Sequence, residues 1–135
     1  MMTPAAPPRP TDAELAILRV LWERGPSTVR EVHGVAARGR QLAYTTTLKL
    51  LQIMTEKGLT TREAEGQLHR YRARQTEQAT QRRLVRDLLD RAFGGSTSQL
   101  VLQALASRKA SPEELRSIRR LLDEAGEKTD RGEEG

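Results

Sequence analysis

Residues 42–73, LAYTTTLKLLQIMTEKGLTTREAEGQLHRYRA, read as an amphipathic helix, one glycine and a short basic hairpin. Leu42, Leu48, Leu51, Ile53 and Met54 mark the apolar side of the helix. Tyr44, Thr45, Thr46, Lys49 and Gln52 make its polar side. Leu59–Glu63 and Gln67–Ala73 then form the two arms of a ribbon with Glu65-Gly66 at its tip, where glycine supplies the turn. Tyr71 alternates with Arg70 and Arg72, so its ring can dock on the helices while both guanidinia face out. A two-strand ribbon is marginal by itself and must pack on the helices. Hydroxyls, an amide and a lysine on the outward N-terminal turns of a helix suit base edges in a major groove. A cationic ribbon beside them suits phosphates.

Upstream, residues 11–24 open with Thr11 followed three residues later by Glu14, the spacing of a capping box. Leu15, Leu18 and Trp22, widened by Ile17 and Leu21, face a core, and Gly25-Pro26 ends the helix. Thr28 and Glu31 repeat the capping spacing at the start of a second, shorter helix whose Val29, Val32 and Val35 or Ala36 turn inward. It fades at Ala37-Arg38-Gly39, and the turn 38–41 leads into a third helix near Ala43. Two helices joined by a tight turn and followed by a ribbon make a winged helix-turn-helix. On that reading Tyr44, Thr45, Thr46 and Lys49 face bases, and Thr28, Arg40, Arg62, His69 and Arg72 face phosphates.

From Glu77 the character changes. Residues 77–93 place Leu84, Val85, Leu88, Leu89, Ala92 and Phe93 on one face, and Gly94-Gly95 break the pattern. Residues 96–107 form another apolar helix around Leu100, Val101, Leu102 and Leu105. Ser111-Pro112-Glu113-Glu114 then starts a last one, which repeats Leu115, Ile118, Leu121, Leu122 and Ala125 until Gly126 stops it. Three short amphipathic helices cannot bury these faces by themselves. The surplus predicts a second copy, held by Leu84, Leu88, Phe93, Leu100, Leu115, Ile118 and Leu122. The expected organisation is a disordered leader over 1–10, a winged helix over 11–75, a helical dimerisation domain over 76–126 and a flexible tail over 127–135.

Charge divides the chain the same way. Residues 1–75 hold 12 Lys/Arg against 7 Asp/Glu, net +5, whereas 76–135 hold 11 of each. A cationic excess confined to the half with the reading helix and ribbon is the footprint of a polyanion binder. The absence of cysteine excludes disulfides and thiolate metal sites, and two histidines, His33 on a helix surface and His69 on the wing, are too few for a metal centre. No cofactor is expected. No apolar run approaches a membrane span, and the Pro/Ala-rich N-terminus has no signal core, so a cytoplasmic protein is expected.

These segments resemble the penicillinase-repressor family (BlaI/MecI/CopY type) over about residues 10–125. The resemblance is carried by Glu14-Leu15 to Leu21-Trp22, Thr28-Val29-Arg30-Glu31-Val32, Leu42-Ala43-Tyr44-Thr45-Thr46, His69-Arg70-Tyr71, and Gly94-Gly95 followed by Leu100-Val101-Leu102. It implies a homodimeric repressor with an N-terminal winged helix and a C-terminal helical dimerisation domain, bound to inverted repeats of the TACA/TGTA kind. In the antibiotic-responsive branch, a membrane sensor with a zinc protease domain triggers cleavage of an Asn-Phe bond in the dimerisation region. The matching pair here is Gln103-Ala104, a departure from that bond. The copper-responsive branch carries a C-terminal cysteine motif, which this cysteine-free chain lacks.

Other readings compete less well. An enzyme needs titratable groups converging in a pocket, whereas the carboxylates here fall on helix surfaces or caps. An RNA reader needs exposed aromatics, and only Tyr44 and Tyr71 lie near the basic surface. A winged helix used for protein contact, or one controlled by a small ligand in the dimer interface, leaves no mark in the sequence.

Overall fold

The computed structural model describes residues 8–38 and 41–134, the side chains of 131–134 excepted. The described residues run α1 (Asp12–Arg24), α2 (Val29–Ala36), α3 (Tyr44–Lys57), β1 (Thr60–Glu65), β2 (Leu68–Ala73), α4 (Glu77–Ala92), α5 (Thr97–Ser107) and α6 (Pro112–Glu134). The chain is thus mainly helical with one antiparallel hairpin. It divides into two compact units, Met1–Arg86 and Asp87–Gly135.

The first unit is the winged helix. Both capping boxes form: the hydroxyls of Thr11 and Thr28 accept the amides of Glu14 and Glu31, whose carboxylates accept the cap amides in return. The core gathers Ile17, Leu18 and Leu21 of α1, Val29 and Val32 of α2, Leu51 and Met54 of α3, then Leu59 and Tyr71. Val20 is also buried, while Leu15 and Trp22 of the expected stripe are only half-buried. Thr47, Leu51 and Met54 face inward at i, i+4 and i+7, which turns Tyr44, Thr45, Lys49 and Gln52 out on the opposite side of α3.

Register pairs Thr60 with Ala73, Arg62 with Tyr71 and Glu65 with Leu68. β1 therefore runs two residues beyond the expected Glu63, and the turn is Gly66-Gln67 rather than Glu65-Gly66. Gly66 takes the positive φ of 63° that a two-residue turn demands. The ribbon is anchored at its base, where Ser27 and Tyr71 exchange backbone hydrogen bonds of 2.9 and 2.8 Å. Trp22 Nε1 also donates to the Gln75 carbonyl at 3.0 Å.

In the second unit, Gly94 and Gly95 break the chain with φ of 55° and 81°, a conformation that costs glycine little. Ser96 and Ser111 cap α5 and α6. The expected stop at Gly126 is overturned: α6 continues to Glu134. A glycine inside a helix costs only about 1 kcal/mol relative to alanine. A glycine commonly stops a helix by taking the left-handed conformation, and Gly126 has no positive φ. Residues 127–134 are accordingly helix, not the expected loose tail, and α6 is the longest element rather than a short one.

Candidate nucleic-acid interface

The outward side of α3 and the ribbon beside it frame the candidate interface. Tyr44, Thr45, Thr46, Lys49 and Gln52 are all exposed on α3. The pleat puts Arg62, His69 and Tyr71 on one face of the ribbon and Arg70 and Arg72 on the other. Tyr71 docks in the core while Arg62 and His69 stay exposed. These two line a groove of about 600 Å³ together with Thr28 and Arg30 at the start of α2 and Tyr44 and Gln52 on α3. Thr45, Thr46 and Lys49 flank a separate shallow depression with Leu50 and Ile53.

Not every expected phosphate residue belongs to that groove. Arg72 points the other way, into a cleft with Trp22, Arg74 and Thr76. Thr28 lines the groove, but its hydroxyl donates to Glu31 Oε1 at 3.0 Å and accepts the Glu31 amide, so its hydrogen is already committed. Arg40 lies outside the described residues. Arg70 does not face out freely as the alternation suggested: its guanidinium pairs with Glu65 across the ribbon and with Glu31 of α2 at 3.2 Å. Arg24 pairs with the other oxygen of Glu31 at 3.0 Å. Lys57 closes the C-terminal end of α3 onto Glu14 at 2.8 Å, and Glu14 is 1 % exposed. Among the described residues Arg30, Lys49, Arg62 and Arg72 make no ion pair, so their charge is available to a ligand. Arg30 was missing from the sequence-based set, and Gln52, placed on the polar side of the helix, was assigned no contact. The exposed polar position at the start of α2 was the signal that could have found Arg30.

The paired carboxylates are structural, and they respond to acid. The backbone amide and hydroxyl of Thr28, then Arg24, hold Glu31 down from 4.5 to about 2, with Arg70 adding to them. Burial pushes Glu14 up, but the hydrogen bonds and charge of Lys57 and the Thr11 amide carry it below the usual carboxylate range. A depressed folded-state pKa stabilises the fold fully above the unfolded value, and that contribution disappears as pH falls through the folded value. The wild-type melting temperature should therefore fall between pH 4.5 and about 2 as Glu31 protonates. Glu31→Gln should melt lower than wild type at pH 6 and converge with it near pH 2. Parallel melting curves across that range would refute this role for Glu31.

Among the dimerisation candidates, Leu88, Leu115 and Leu122 are exposed, and Leu84, Phe93, Leu100 and Ile118 are half-buried. Gln103 and Ala104 are exposed on α5. His33, expected on a bare helix surface, is half-buried and hydrogen-bonded to Thr47. No group of three or more His, Cys, Asp or Glu suited to a metal occurs among the described residues. None of the described helices is long and apolar enough to cross a membrane.

Residues 10–124 match the penicillinase repressor family. A transcriptional regulator of Mycobacterium tuberculosis, BlaI, is 32% identical over 114 residues, covering 84% of this chain and 82% of its own. Among solved structures, the DNA-binding domain of the repressor BlaI matches at 24% identity and a TM-score of 0.49, over 53% of this chain and 88% of its own. The Bacillus licheniformis BlaI monomeric form in complex with the blaP half-operator matches over the same shares at 24% identity and a TM-score of 0.48.

Proposed function

This chain belongs to the penicillinase repressor family, and from that premise we propose that it is a homodimeric, sequence-specific DNA-binding repressor acting on an inverted-repeat operator. The observation that carries the reading is the exposed side of α3, whose Tyr44 and Gln52 share one groove with Arg62 and His69 of the ribbon. A helix of this kind fits a major groove, and the ribbon then falls on the neighbouring backbone. Tyr44, Thr45, Thr46 and Lys49 are assigned to base edges. Arg62, His69 and Arg40 are assigned to phosphates, together with Arg72 on the far side of the ribbon. A repressor of this kind acts by occupancy of the duplex, not by a chemical reaction.

The second unit supports the homodimer. Leu88, Leu102, Leu105, Leu115, Leu121 and Leu122 are exposed. On α6, Leu115, Ile118 and Leu122 form one stripe opposite Arg116, Arg120 and Asp123. An apolar surface of this extent marks an interaction site, and a second copy joins two reading heads to two half-sites. The organisation follows: a DNA-binding head, a dimerisation unit from α4 onward, and relief by a cut near Gln103-Ala104, made under the control of a membrane sensor protease. Both residues are accessible on α5, and the Gly94-Gly95 break precedes it.

Competition binding tests the reading. The full chain should prefer a duplex selected from a randomised double-stranded pool over single strands and RNA, with affinity falling steeply as salt rises because cations release phosphate counterions. Lys49→Ala should change preference at defined base pairs by about 1–3 kcal/mol, whereas Arg62→Ala should weaken all duplexes alike and lower the salt slope. Equal binding to single-stranded and duplex competitors would instead favour a winged helix used for another purpose.

A further inference from the structure

Among the described residues, His33 makes the side-chain hydrogen bond that joins α2 to α3. Its Nδ1 lies 2.9 Å from Thr47 Oγ1. Its ring meets the ring of Tyr44 edge-on, with centroids 5.5 Å apart and planes at 78°. Tyr44 and Thr47 are three residues apart, so one imidazole touches neighbouring positions on the first turns of α3.

The two contacts differ in what they do. Thr47 is fully buried, and the same two helices give Val29, Val32, Leu51 and Met54 to the apolar core. Without His33 its hydroxyl would lack the one partner it has among the described residues, and an unmet buried hydroxyl is costly. Burial of an apolar stripe selects which face of a helix turns inward but, being non-directional, leaves the finer rotation about its axis unset. A hydrogen bond is directional and fixes it. Tyr44 is 45 % exposed, and the T-shaped contact with the imidazole orients the part of its ring that is not. A side chain ordered before binding saves the cost of ordering it on the duplex.

We infer that His33 is a positioning residue for sequence discrimination: it sets the rotation of α3 through Thr47 and the orientation of the Tyr44 ring, without itself reading a base. The inference rests on the proposed role of α3 as the reading helix. It differs from the second clamp on α3, the Glu14–Lys57 pair, which grips the far end of the helix and touches none of the exposed reading residues.

The test is a double-mutant cycle in the full-length protein, using a duplex that the wild type selects from a randomised pool and single-base-pair variants of it. His33→Ala should lower the ratio of selected to unrelated duplex affinity roughly 3- to 10-fold. In a Tyr44→Ala background the same change should lower that ratio less, because the ring it orients is gone and only the loss through the rotation of α3 remains. His33→Asn retains a hydrogen-bonding group for Thr47 and keeps the fold if His33→Ala does not. It should restore the melting temperature yet leave the loss of discrimination at the base pair read by Tyr44. An additive cycle, or an equal weakening on selected and unrelated duplexes, overturns the inference. Failure of the wild type to select any duplex defeats the proposed function instead, so the two failures are distinct.

Discussion

Leu88→Asp, or Ile118→Asp, should yield a folded monomer whose affinity for a duplex with two half-sites drops about 100- to 10,000-fold. That is the range by which joining two modest sites multiplies affinity. Leu88 is 48 % exposed in the single chain, so a carboxylate there costs the isolated fold little. The same carboxylate buried unpaired in an apolar interface costs several kcal/mol, enough to separate the copies. Affinity for a single half-site should be nearly unchanged, because the α3 side chains are untouched. A chain ending at Gln103, the product of a cut there, loses α6 and its Leu115, Ile118 and Leu122 stripe, and should match the point variants. Sedimentation and binding to one-site and two-site duplexes read both effects together. A Leu88→Asp protein that remains dimeric would place the interface elsewhere, and a truncated chain that retains two-site affinity would remove the rationale for relief by cleavage.

Tyr71→Ala should cost about 3–5 kcal/mol of stability, the range for removing a large buried aromatic. Its ring is 2 % exposed and packs in the cluster that joins α1, α2, α3 and the ribbon. Its backbone pairs with Ser27, so the ring and the bridge together anchor the ribbon. Small domains hold only some 5–15 kcal/mol in total, so a substantial share of the protein would unfold and Arg62 and His69 would lose their platform. Tyr71→Phe keeps the ring and should cost well under half as much. Urea unfolding followed by Trp22 fluorescence measures both. A loss below about 1 kcal/mol for the alanine variant would show that the cavity collapses and that the ring is not the anchor.

Local rules settle what is local. A threonine three residues before a glutamate specifies a capping box whatever surrounds it, because both partners lie within one turn; Thr11–Glu14 and Thr28–Glu31 were therefore legible in the sequence. So were the periodicity of α3, which sorted Leu51 and Met54 inward and Lys49 and Gln52 outward, and the positive-φ turn at Gly66. Family membership was legible too, because short segments in fixed order carry it. The helix order and the hairpin followed from these.

What the sequence left open depends on residues far apart in the chain. Arg70 and Arg72 look alike in an alternating strand, yet Arg70 is bound to Glu31, 39 positions away, and Arg72 is not. Lys57 and Lys49 sit on one helix, yet only Lys57 meets a buried carboxylate, 43 positions away. Thr47 was given no role beside Thr45 and Thr46, and its partner appears only when α2 brings His33 against it. Glu14 passed for a surface cap until the packing of α3 on α1 closed over it. In each case the side chain's own chemistry is unchanged, and the partner that decides its role arrives only when helices pack. Charge and period alone thus determined which elements form and which half of the chain is cationic. The tertiary fold decided which of those cations are spent holding the structure together and which remain to meet a phosphate, because an ion pair depends on distance in space, which spacing along the chain does not fix.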